Sequence, residues 1–468
     1  MEAFAKFVGA VDDFAWGPVM LILLVGTGVY LSIRSGWLQF TRFGYAMRNT
    51  LFKAFTKQTA GKGEVTPFQA MTTALAGTVG TGNIAGVTGA IFIGGPGAVF
   101  WLWISALVGM VTKYSEVLLA VKYRERNEAG DWVGGPMYSI KNGLGKNWLW
   151  LAYVFAFFGM VASFGIGNTT QVDSIATALN TAVSAFGGET GNTFRIIIGV
   201  IVAIITAVVV IGGIKRIGAV TEKLVPFMAV VYILAAIIVI FGNIGQIGVV
   251  LGAIFKGAFS PRSIAGGALG VGIMTTIQKG IARGVFSNEA GLGSAPIAHA
   301  ATSLTDPVKQ GLYGIFEVFM DSIVICTLTA LALLMGLAGQ FGIDGIEWGT
   351  SHGSEMVVSA FSGLFGGKLS SVIIAVGLSL FALSTILSWS LYGSRCCEFL
   401  FGKASKPATL IYKILFCVVL VIGSTLGLDL VWTIGDALNG LMAIPNLVAL
   451  LLLSGTVITT TKEYFSNK

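Results

Sequence analysis

The 468-residue chain is 55% hydrophobic and only 11% charged, less than half the charged share of an ordinary soluble domain. So few charges cannot cover a water-facing surface, and apolar runs near the ~20 residues that cross hydrocarbon as helix recur from Trp16 to Ile458. The formal net charge of +7 comes from Lys and Arg scattered through short loops, which argues against a nucleic-acid partner and makes the charge a record of topology.

In chain order, the first apolar run, Trp16 to Ile33, has no basic region or cleavage site before it and reads as a retained helix. Hydrophobic runs with their Gly, Pro and charged punctuation predict spans at 15–34, 67–94, 97–122, 147–180, 194–213, 217–241, 264–294, 309–338, 368–396, 408–426 and 429–458. The loop after the first span holds Arg34, Arg42, Arg48, Lys53, Lys57 and Lys62, so it is expected in the cytoplasm. With eleven crossings, the segments with Lys122, Arg124, Arg126, Lys141, Lys146, Lys215, Arg216, Arg395, Lys403 and Lys406 fall on that same side. The loops around 181–193 and 339–367 are poor in cations and fall outside. This predicts a multi-pass protein of the cell membrane, N-terminus outside and C-terminus cytoplasmic. Cys326, Cys396, Cys397 and Cys417 lie in or beside apolar spans and imply no disulfide framework.

The first span stands apart behind its basic loop, leaving ten. Two sets of five would enter from opposite sides, as the inverted repeats of secondary transporters do. The expected organisation is one transporter domain, 1–468: an extra helix and loop in 1–65, a first repeat in 66–241 and a second in 261–458.

Spans two and seven would lead the two sets, and both are unusual. Span two carries Gly77, Gly80, Gly82 and Gly86 with Thr78, Thr81 and Asn83 between them, and each interior Gly costs about 1 kcal/mol relative to Ala. An unwound turn there would offer carbonyls to a cation and half-helix N–H groups to a carboxylate; close helix packing is the plainer alternative. Span seven carries Lys279, Arg283 and Glu289, each costing on the order of 2.5 to 3.5 kcal/mol at the membrane centre. Its break is expected near Thr275 to Gly280, with Arg283 to Pro296 descending to the cytoplasm. Lys113 and Glu116, one turn apart, read as an ion pair. Glu317 and Asp321 are spaced to share a helix face, which leaves proton coupling open, and Asp173 and Asp436 stand as single acids.

The strings Gly80-Thr81-Gly82-Asn83-Ile84, Gly94-Gly95-Pro96-Gly97, Lys113-Tyr114-Ser115-Glu116, Gly134-Gly135-Pro136-Met137-Tyr138, Gly284 through Pro296, and Ala443-Ile444-Pro445-Asn446 resemble the alanine or glycine:cation symporter family over nearly the whole chain. The resemblance implies an all-α polytopic membrane protein with the leucine-transporter-like five-plus-five inverted repeat and two broken helices. It also implies sodium-driven uptake of alanine or glycine, in the D or L form, rather than enzyme chemistry. Carried over by motif, the sodium ligands are Ala76, Val79, Ser384 and Thr385, although both hydroxyls could instead bond back to their own helix. The amino acid would sit with its carboxylate near Thr81 and Gly82 and its ammonium near carbonyls of Ile277 and Gly280, with Gln171 reaching in. Thr385, Ser388 and Trp389 would close the side-chain end, and Asn83 would be a second cation ligand or a latch across the break. A proton-coupled or exchanging carrier is the alternative.

Overall fold

The structure is a computed structural model and describes residues 2–53, 60–61, 63–259, 272–348, 353–425 and 429–466. Helix α1 (Glu2–Ala15) leads into α2 (Pro18–Arg34), whose Pro18 sits in the first turn, where a missing N–H costs nothing. Helix α3 (Pro67–Thr78) starts at a reciprocal cap: the Gln69 N–H donates to Thr66 Oγ1 and the Thr66 N–H to Gln69 Oε1, each at 3.1 Å. It stops at Val79 and resumes as α4 (Ala85–Gly94) after a 57° bend. Then come α5 (Ala98–Lys122), α6 (Leu149–Phe164), α7 (Thr170–Ala185), α8 (Asn192–Ile211) and α9 (Gly213–Gly242). Further along the chain lie α10 (Ile273–Asn288), α11 (Pro307–Val318), α12 (Thr327–Phe341), α13 (Gly367–Phe401), α14 (Ser405–Gly423) and α15 (Asp429–Leu452). The first part of the expected span seven, residues 264–271, lies outside the described residues.

Among the described residues, eight helical stretches are long and apolar enough to cross a bilayer, nine with α3 and α4 taken together. One of them, Gly367–Gly423, holds α13 and α14 packed side by side, and α10, with 16 described residues, is too short to be counted. Length and apolarity therefore leave the expected total of eleven unfixed. Exposed Ile197, Ile201, Ile204 and Val208 on α8, and Leu410 and Ile414 on α14, give these helices outward faces suited to hydrocarbon. The basic loops gather on one face of the bundle. Arg126 pairs with Glu64, Arg395 with Asp131 and Lys406 with Glu128, and Lys215 Nζ donates to the Gly61 carbonyl at 3.1 Å.

The break in span seven is not at Thr275 to Gly280, because α10 runs unbroken through those residues. Gly280 and Gly284 instead let α10 press onto α5: a Cβ at 280 would lie 2.4 Å from the Ala98 carbonyl oxygen and one at 284 would lie 2.0 Å from Ser105 Oγ. Thr276 Oγ1 donates to the Gly94 carbonyl at 2.7 Å and Gln278 Nε2 to that of Trp16 at 3.1 Å, so these polar residues are satisfied without unwinding. The backbone departs from helix at Glu289, which is left-handed at φ +54°, and returns at Pro296. Gly291 and Gly293, at φ +95° and +82°, supply the conformations this turn needs.

Candidate functional site

The two breaks meet near the middle of the chain's core, where their loose peptide groups face other protein groups, as membrane depth requires. At the first, Ser384 Oγ on α13 approaches the carbonyls of Ala76 (3.3 Å) and Val79 (3.5 Å), and Thr385 Oγ1 donates to Ala76 at 3.1 Å. Both hydroxyls also reach the Phe381 carbonyl one turn back, at 2.8 and 3.1 Å. The two readings of these hydroxyls are thus compatible. Protons parked on Phe381 leave lone pairs free to turn toward a hard cation. The approach needs Gly80, since a Cβ there would fall 2.4 Å from Thr385 Oγ1.

A small cavity adjoins these oxygens. Gly77, Thr78, Gly80 and Gly82 form one wall, Gln171 and Thr385 a second, and Phe286, Glu289 and Trp389 a third. Thr81 Oγ1 donates to Gln171 Oε1 at 3.1 Å, and Gln171 Nε2 to the Ile166 carbonyl at 2.9 Å. The π-helical turn Gly165–Thr169 between α6 and α7 makes room for Trp389: a Cβ on Gly167 would fall 2.1 Å from that of the tryptophan. Phe286 packs on Gly82 and divides this cavity from a second one, lined by Gly86, Lys279 and Arg283.

Asn83 hydrogen-bonds on both sides of the first break. Its Oδ1 accepts the Gly80 N–H at 2.9 Å while its Nδ2 donates to Asp321 Oδ1 at 2.6 Å, and Ser287 and Ser322 donate to the other oxygen of that carboxylate. Glu317 faces elsewhere, toward His299. The π-helical stretch Phe319–Cys326 widens the turn after α11 and gives the two acids separate partners. Glu116 also has a different partner from the one expected: it accepts the N–H groups of Gly291 (3.0 Å) and Gly293 (3.1 Å) and the amide of Asn446 (2.6 Å). The Lys113 ammonium is buried with no hydrogen-bond partner among the described residues. Asp173 pairs with Arg195, and the Asp436 carbonyl receives the Trp16 indole N–H at 3.0 Å.

Of the residues expected from sequence, Ala76, Val79, Thr81, Gly82, Gln171, Ser384, Thr385 and Trp389 come together here, with Asn83 beside them. Ile277 and Gly280 stay within α10, away from the cavity lining, because the helix does not end until Glu289, two to three turns further on. Ser388 turns to the Thr73 carbonyl at 2.6 Å instead of the cavity. Phe286, Glu289 and Asn439 line the cavity without having been expected there. The signal for Phe286 and Glu289 was Gly291, Gly293 and Pro296, a helix stop followed by a helix start.

The sodium:alanine symporter family matches residues 1–468. The chain is 45% identical over 465 residues to the sodium/alanine symporter AgcS of Methanococcus maripaludis, covering 98% of this chain and 97% of that protein. It is 43% identical over 461 residues to an uncharacterized transporter of Haemophilus influenzae, covering 98% and 96%. Among solved structures, MhsT in complex with L-phenylalanine matches with a TM-score of 0.60 at 14% identity, over 86% of this chain and 99% of that one, so the two share a fold of the leucine-transporter-like type. Full-length identity at this level, with paired broken helices around one cavity, makes the chain a member of the sodium:alanine symporter family, a secondary transporter rather than an enzyme.

Proposed function

We propose that this protein imports alanine or glycine together with sodium across the cell membrane by alternating access, with its N-terminus outside and its basic loops in the cytoplasm. The observation that carries this reading is the convergence of Ala76 O, Val79 O, Ser384 Oγ and Thr385 Oγ1 beside a small closed cavity. These are hard, neutral oxygens, suited to an alkali cation held loosely enough to leave.

The α3 end presents the negative pole of its dipole to the cation, and the single turn Thr81–Asn83 that leads into α4 presents N–H groups to the substrate carboxylate. Sodium and substrate then share one bent segment, so each raises the other's affinity by an equal factor. Trp389 walls the side-chain end and Gly80 admits Thr385, which favours a substrate no larger than a methyl group beyond its α-carbon. The alternative in which Glu317 and Asp321 share a proton loses support, because each acid has its own partners. In proteoliposomes, an inward sodium gradient should drive uptake of labelled alanine and glycine. Uptake driven equally by a pH gradient in sodium-free buffer would overturn the coupling.

A further inference from the structure

Glu289 occupies an unusual place. It is left-handed in backbone, 3% exposed, and alone among the described residues lining the small cavity carries an ionisable side chain. Its Oε1 accepts the Trp389 indole N–H at 3.0 Å, and its Oε2 accepts the Ser294 hydroxyl. Each carboxylate oxygen has a further lone pair, so the group can take another donor. The end of α10 brings the negative pole of its dipole, and carbonyls without helical partners, to the same spot.

A zwitterion entering this cavity must pair two charges, and a buried ion left unpaired is strongly disfavoured. The start of α4 suits the carboxylate. The ammonium has nothing of opposite charge in the lining except Glu289, and the carbonyls of Ile277 and Gly280 are committed to an unbroken helix. Resting on the symport reading above, we propose that Glu289 receives the ammonium of the substrate and so selects amino acids over other small carboxylates.

The empty cavity needs its own charge balance. Lys113, wholly buried and without a hydrogen-bond partner among the described residues, lies within electrostatic reach of Glu116, Glu289 and Asp321 alike and is a counter-charge these acids share. Glu289 also fixes the Trp389 indole, so the same carboxylate orients the wall that limits side-chain size.

The test compares alanine with lactate, which keeps the carboxylate and methyl group but has a hydroxyl in place of the ammonium. Labelled alanine is bound to purified protein in sodium and displaced by unlabelled alanine or by lactate. Glu289→Gln should weaken alanine binding about 100-fold and shrink the preference for alanine over lactate at least about tenfold. Trp389→Phe removes the indole donor and keeps the carboxylate, so it should weaken both ligands and leave their ratio intact. A Glu289→Gln protein with wild-type alanine affinity and wild-type preference would overturn the assignment. Should that variant fail to elute as a single species, Glu289→Asp decides: weaker alanine binding with the preference retained supports the assignment, and unchanged alanine affinity removes it. Wild-type protein that binds no alanine in sodium would sink the symport reading itself, whereas wild-type binding matched by Glu289→Gln would sink only the role of Glu289.

Discussion

The two breaks solve the same problem in opposite ways. At the first, the chain presents its own peptide groups, with Ala76 and Val79 carbonyls meeting hydroxyls of α13 and no carboxylate among them. At the second, Glu116 and Asn446 occupy the peptide groups of Gly291 and Gly293, and what faces the cavity is a side chain, Glu289. A neutral backbone site can hold an ion weakly and let it go, while a stapled turn can hold a charged side chain at membrane depth without its own backbone going unpaired. The difference suggests that the first break does the moving and the second does the holding.

The largest effect should come from removing the staple. Glu116→Ala would leave two buried N–H groups and the Asn446 amide without their acceptor, at a cost on the order of 3 to 5 kcal/mol. Thermal unfolding in detergent should then begin well below wild type, and an unchanged midpoint would mean the second break is not held there. Next is Gly80→Ala, whose methyl would meet Thr385 Oγ1 at 2.4 Å and pry α13 from the first break. Sodium-driven alanine uptake should drop about 100-fold while the protein remains folded, since ~3 kcal/mol at this contact corresponds to that factor. Uptake near wild type would show that the close approach is dispensable.

Thr385→Ala should be milder, raising the sodium concentration for half-maximal alanine uptake about tenfold, a loss of ~1.4 kcal/mol in ion affinity. Unaltered sodium dependence would strike it from the ligands. Ser388→Ala should be smallest, because its hydroxyl bonds the Thr73 carbonyl away from the cavity. Alanine affinity should shift by less than about threefold, well under 1 kcal/mol, and a larger change would return Ser388 to the pocket.

The first break was legible because its glycines alternate with threonine and asparagine, which neither a lipid face nor close packing asks for. The second was misplaced by two to three turns. Thr276, Gln278 and Lys279 have the polarity of an unwound segment, yet on α10 they are spent on contacts to Gly94 and Trp16 or on the second cavity. Polarity alone does not separate a break from a polar helix face; a pair of left-handed glycines followed by a proline does. The partners of Glu116 were unreadable for another reason. Its acceptor role depends on backbone from a segment far along the chain, while Lys113 one turn away offered a local pairing that tertiary structure overrode. The π-helical turn that separates Glu317 from Asp321 likewise has no marker in residue spacing.

That a single bent segment serves ion and amino acid together is most directly tested by titrating purified protein with alanine at a series of sodium concentrations, and with sodium at a series of alanine concentrations. The expected result is that sodium tightens alanine binding and alanine tightens sodium binding by one common factor. An alanine affinity indifferent to sodium would contradict it.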